Sequence, residues 1–204
     1  MRKLMLILLM FSALFTLKSN AQETSFPRFT FGAEWSCIST VHSIWHYNFF
    51  SPEGYRVDMK GSETKYTANG EAYLNAGYNF NEHWNIAMYI GIAGIGNIHK
   101  AVPFSFRGTY YFGDNPLSDR WLTYIEAGSG ISLKIPPQEI FACKAGGGYR
   151  ISLSRHSKLD FMLALKVTYT HPEIIYDEIR IDPQRINKNG MIMTSISLGM
   201  AINI

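Results

Sequence analysis

The chain has 204 residues, with 19 Lys+Arg, 16 Asp+Glu and two cysteines, and 14% of it is aromatic. Two cysteines, Cys37 and Cys143, exclude a disulfide-rich scaffold and a cysteine-ligated metal site. A length near 200 fits one domain, and a formal charge of +3 is too small for a nucleic-acid footprint.

The N-terminus reads MRKLMLILLMFSALFTLKSNAQ. Arg2 and Lys3 precede an apolar stretch from Leu4 to Leu17, and Ser19-Asn20-Ala21 supplies the small residues of a cleavage site. This pattern predicts a secretory signal over 1–21, cleaved after Ala21, and leaves 22–204 as one domain. Arg2, Lys3 and Lys18 depart with it, so the remaining chain carries 16 charges of each sign. The basic excess belongs to the export signal.

Beyond it, apolar and polar residues alternate at period two in eight stretches, the signature of strands with one greasy and one polar face. In RFTFGAEWSC, Phe29, Phe31, Ala33, Trp35 and Cys37 oppose Arg28, Thr30, Gly32, Glu34 and Ser36. EAYLNAGYNF sets Leu74, Tyr78 and Phe80 against Glu71, Asn75 and Gly77. HWNIAMYIGIAG places Trp84, Ile86, Met88, Ile90 and Ile92 opposite Asn85, Ala87, Tyr89 and Gly91. KAVPFSFRGTYYF opposes Val102, Phe104, Phe106, Tyr110 and Phe112 to Ser105, Arg107, Thr109 and Tyr111. WLTYIEAGSGIS is the weakest, with Trp121, Ile125, Ala127 and Ile131 against Tyr124, Glu126 and Gly128. FACKAGGGYRISL sets Phe141, Cys143, Tyr149 and Ile151 against Lys144, Gly146, Gly148 and Arg150. KLDFMLALKVTYT separates Leu159, Phe161, Leu163, Leu165, Val167 and Tyr169 from Lys158, Asp160, Met162 and Lys166. GMIMTSISLGMAINI ends the series, with Ile192, Ile196, Leu198, Met200, Ile202 and Ile204 against Ser195, Ser197, Gly199 and Asn203.

Strands of about 10–13 residues suit a tilted bilayer crossing. Three features decide which face meets lipid. The polar face concentrates glycines and charges of both signs, as a narrow eight-stranded interior requires. Short connections at 81–83, 113–120 and 154–157 alternate with longer ones at 39–69, 94–99, 132–139 and 171–189. Aromatics flank the short turns: Phe80 and Trp84, then Tyr110, Phe112 and Trp121. The expected fold is all-β, an eight-stranded antiparallel up-and-down transmembrane barrel with a greasy exterior.

On these features the chain resembles the small eight-stranded Gram-negative outer-membrane barrels of the OmpA/OmpX-like class. The C-terminal SLGMAINI is similar to the signal that the barrel-assembly machinery recognises, with Ser197, Gly199, Ile202 and Ile204 at its positions. Ile204 stands where the family usually has Phe. The resemblance implies an outer-membrane location, periplasmic termini, extracellular long loops, and lipid and the assembly machinery as partners of a monomer.

Arg28, Glu34, Glu71, Arg107, Glu126, Lys144, Arg150, Asp160 and Lys166 all fall on the polar face. Buried charges must be paired, so these are expected to plug the lumen with ion pairs. Arg107 and Glu126 are expected directly opposite, with Glu34 and Lys166 as second partners. The alternative is a small pore. A second alternative is a lipid-modifying enzyme, with His42, Ser43, His46, Ser51 and Asp58 of the first loop as candidate catalytic groups. They match no motif, and the reading is non-enzymatic, with no catalytic residue, metal or cofactor. GIAGIG and AGGGYR lack the Lys-Ser/Thr and following helix of phosphate loops. Trp45, Tyr47, Phe49 and Phe50 form an aromatic run in loop one and are candidates for surface interaction.

Overall fold

The computed structural model describes residues 27–204 apart from 97–98, 134–136 and 155–156. The expected signal peptide, 1–21, lies outside the described residues. Ten strands follow in chain order: β1 Phe29–Phe50, β2 Arg56–Asn79, β3 Trp84–Ile95, β4 His99–Tyr111, β5 Arg120–Ser132, β6 Glu139–Ser152, β7 Lys158–Thr170, β8 Ile175–Tyr176, β9 Ile179–Arg180 and β10 Ile186–Asn203. Eight of them close an antiparallel barrel in the order β1-β10-β7-β6-β5-β4-β3-β2, and β8 and β9 form a separate two-stranded hairpin.

Lipid-facing and lumen-facing side chains alternate as the sequence predicts. Leu165 is 62% exposed and the adjacent Lys166 only 7%. The greasy faces therefore lie outside and the charges inside. Cys37 and Cys143 are free thiols on the outer face. Aromatic pairs ring the turn end: Phe29–Tyr78 at 5.3 Å, Trp84–Tyr110 at 5.0 Å and Trp121–Tyr149 at 5.0 Å between centroids. Amphipathic rings favour this interfacial level.

Three strands run far beyond the expected length. β1 has 22 residues, β2 24 and β10 18. The β2–β3 ladder stops at Glu71↔Ala93, although β2 continues back to Arg56. Likewise the β10–β7 ladder stops at Met191↔Thr170 while β10 continues to Ile186. Above the barrel, β10, β1 and β2 thus run on as a three-stranded sheet. Segment 39–69, expected as a loop, is mostly this β1–β2 extension. A β-bulge marks the exit. Thr40 pairs with Ser195 and Thr67, but His42 pairs with Thr194 and Thr64. Against β10 the extra residue is Val41, whereas β2 has one residue more than β1 here; the alternation of β1 flips, so its odd residues take over the concave side.

Candidate functional site

The lumen is built from side chains projecting inward from every long strand. Arg107 and Glu126 are directly opposite on β4 and β5. Arg107 Nε and Nη2 donate to Glu126 Oε2 at 2.9 and 2.6 Å. The same guanidinium reaches across the lumen to Glu34, with Nη1 donating to Oε2 at 2.6 Å and Nη2 to Oε1 at 3.0 Å. Its flat faces rest on Tyr89 and Tyr124, 4.1 and 4.3 Å from the ring centroids. Lys144 Nζ donates to Glu71 Oε1 at 2.6 Å and lies 3.6 Å from Glu34. Lys166 pairs with the other Glu71 oxygen. It is therefore not the second partner of Arg107 and Glu126 expected from strand height; its Nζ meets Glu71 first. Ser105 donates to the other Glu126 oxygen, Oε1, while Ser36 and Tyr73 add second hydrogen bonds to Glu34 Oε1 and Glu71 Oε2.

Three glutamates and three cations thus form one neutral, hydrogen-bonded cluster. Burial of such charges is tolerable only in that form. Toward the turn end, Arg150 makes a bidentate pair with Asp160, both contacts at 2.6 Å, and Asn203 donates to Asp160 at 2.8 Å. Toward the other end, Ile95, Ala101, Ile140 and Met193 pack into an apolar layer. Between that layer and the charge cluster, lined by Ala101, Glu126, Lys144 and Lys166, is a small cavity of about 30 Å³.

Eight of the nine expected luminal charges occupy this interior. Arg28 does not. It is exposed at the turn end, where Nη1 reaches Tyr78 Oη at 3.5 Å. It precedes β1 at the rim of the barrel: its carbonyl accepts from the Asn79 amide at 2.7 Å, but its side chain lies beyond the enclosed lumen. The sequence reading also missed Arg120, which lies on the polar face but was assigned to a turn. It is buried, 4.3 Å over Tyr111. The tyrosine supports Tyr73, Tyr89, Tyr111 and Tyr124 share the parity of the charges, which is the signal that finds them.

On the projecting sheet, the aromatic run splits. Phe49 is fully buried in a cluster with Ile174 and Ile181, against which Tyr47, Val57, Tyr176 and Ile186 pack. It is not a surface residue, because 171–185 folds over the concave face. Trp45 and Tyr47 are half-buried on the same face, and Phe50 is 42% exposed at the tip. His46 Nε2 lies 2.7 Å from Asp58 Oδ1, which holds the Asp58 carboxyl below its ordinary range. His42 Nδ1 contacts Thr64 Oγ1 at 3.1 Å. Ser43 alternates to the opposite face from both rings, and Ser51 is buried at the hairpin tip. Of the candidate catalytic groups, His46 and Asp58 are brought together, while Ser43 lies on the opposite face and Ser51 at the hairpin tip. At the C-terminus, Ser197 and Gly199 face the lumen, whereas Ile202 and Ile204 face outward.

No family model and no curated protein matches the sequence. Among solved structures, the chain is similar to Neisserial surface protein A, at 11% identity and a TM-score of 0.50, covering 86% of this chain and 96% of that one. The outer membrane protein OprG from Pseudomonas aeruginosa aligns at 10% identity and 0.49, covering 89% and 99%. The N-terminal β-barrel domain of Pseudomonas aeruginosa OprF aligns at 12% and 0.43, covering 83% and 97%. Identities this low carry the fold alone, and in fold this chain is a closed eight-stranded antiparallel β-barrel, like that of Neisserial surface protein A.

Proposed function

We propose that the protein is a closed outer-membrane barrel with a membrane-structural or surface-interaction role, presenting the β10–β1–β2 sheet and segment 171–185 outside the cell. It is exported by residues 1–21, inserted by the barrel-assembly machinery, and stands as a monomer with periplasmic termini. It is neither a conduit nor a hydrolase. One observation carries this reading. The neutral cluster of Glu34, Glu71, Glu126, Arg107, Lys144 and Lys166 fills the lumen at mid-height, beside a cavity of about 30 Å³. Ions crossing it would have to displace these charge-assisted hydrogen bonds. An eight-stranded interior is just wide enough for its own side chains.

The purified protein should give no discrete steps in planar bilayers, and it should migrate faster unboiled than boiled. Regular single-channel steps would replace this reading with the small-pore one. A changed lipid A mass in expressing cells would replace it with the enzymatic one.

Orientation has its own expected result. Protease added to intact cells should cut in 51–55 or 171–185 and spare the paired strands, which lie in lipid or in continuous ladders. Cutting that requires an opened outer membrane would invert the topology.

A further inference from the structure

We infer that the turn end of the lumen binds a small inorganic anion of the halide class between Arg120, Arg150 and Lys158. Arg120 and Arg150 are directly opposite on β5 and β6, an arrangement of like charges that destabilises a sheet unless something offsets it. Their guanidinium carbons lie 4.3 and 4.2 Å from the centroid of the same ring, Tyr111. Asp160 satisfies Arg150 alone.

Arg120 is 8% exposed and has one hydrogen bond, from Nη1 to the backbone oxygen of Glu82 at 2.7 Å. Its Nε is buried without a partner. Among the described residues no carboxylate comes within 4.0 Å of it. Leaving a buried N–H of a charged group unpaired costs more than leaving a neutral one. Lys158, also buried, spends its ammonium on Ser152 Oγ and the backbone oxygen of Ser154, both neutral.

These three cations line a cavity of about 30 Å³ that Glu82, Asn79 and Asn203 also border. That exceeds the roughly 10–15 Å³ that a water-sized guest needs, so a halide fits. Glu82 is half-buried and Asp119 is exposed, Asp119 already accepting from the Ser152 amide. Both acids lower the net positive potential, but neither reaches the Arg120 Nε. A halide there accepts from Nε and supplies the missing counter-charge.

The test is urea unfolding of the full chain in detergent at constant ionic strength, with gluconate replaced stepwise by bromide. A single bound ion raises the folding constant up to about tenfold per tenfold rise in bromide once the site is beyond half-saturation. Arg120→Met should abolish that dependence, while Arg150 keeps Asp160. A bromide dependence identical in both proteins, or absent from the unsubstituted one, overturns the inference. Should Arg120→Met not fold, crystals in bromide decide it. An anomalous peak within hydrogen-bond distance of Arg120 Nε supports the site, and a water without anomalous signal overturns it.

Discussion

Replacing Arg107 by Met should cost about 3–5 kcal/mol of folding free energy, the penalty for stranding buried charge. Arg107 is the bridge between Glu34 and Glu126, with contacts of 2.6 Å to each. Its loss leaves two carboxylates facing one lumen, with Lys144 and Lys166 already held by Glu71. Glu126→Gln is milder. The amide oxygen still accepts from Ser105 or Arg107, and Arg107 keeps both oxygens of Glu34. A loss of about 1–3 kcal/mol is expected, in the range for a weakened buried hydrogen bond to a charge. The double substitution should cost less than the sum of the singles by about 0.5–3 kcal/mol, because the two groups touch. Urea unfolding in liposomes measures all three. Additive losses, or single losses indistinguishable from zero, would mean that water already satisfies these charges and that the lumen is wet. The same variants in planar bilayers then become the direct test for conduction.

The Arg107–Glu126 pair was legible because register in an antiparallel hairpin follows from one anchor. Phe112 and Trp121 meet across the turn, where the Phe112 amide donates to the Trp121 carbonyl at 2.9 Å. Equal steps along each strand then bring Arg107 opposite Glu126. Partners across the lumen obey no such count. Whether Lys166 meets Glu126 or Glu71 depends on barrel shear and on side-chain reach, neither of which a strand records. The projecting sheet was hidden for a different reason. At Val41 the bulge shifts the phase, so one continuous strand reads as two incompatible patterns. Phe49 then appeared as part of an exposed run, though it lies under Ile174 and Ile181. What buries it comes from 125 and 132 residues further along the chain, beyond the reach of local periodicity. Arg120 was lost at a boundary, where the turn signal of NPLSD outweighed one further inward-facing position.

Deleting Ile202, Asn203 and Ile204 should prevent a stable closed barrel from accumulating in the outer membrane. These residues fasten β10 to both of its neighbours. Ile202 pairs with Ala33 and Leu159, and Asn203 with Gly32 and Lys158. Ile204 exchanges both backbone hydrogen bonds with Phe31, at 2.7 and 3.0 Å. Phe31 is 53% exposed on the lipid face, so the freed groups of β1 would sit beside lipid. Each unsatisfied backbone group there costs several kcal/mol, and an opened seam has several. The deletion also removes Asn203, which donates to Asp160. Gly199 tests the same strand by sterics. A Cβ at Gly199 would meet the Ser36 hydroxyl at 2.6 Å and backbone only at 3.6 Å. That hydroxyl can rotate, so Gly199→Ala should still assemble. Gly199→Leu would need room between Ser36 and the Glu34 cluster that the lumen lacks, and should not. At Gly148 the contrast is sharp, since a Cβ there would lie 2.1 Å from the Phe161 carbonyl oxygen, and even alanine should fail. The readout is the fraction of chain recovered in the outer membrane as the fast-migrating unboiled form. Normal recovery of the truncated chain would show that β10 does not close the barrel in the register described. Equal recovery of Gly199→Leu and Gly199→Ala would show that the lumen at this height has space to spare, which the packed charge cluster forbids.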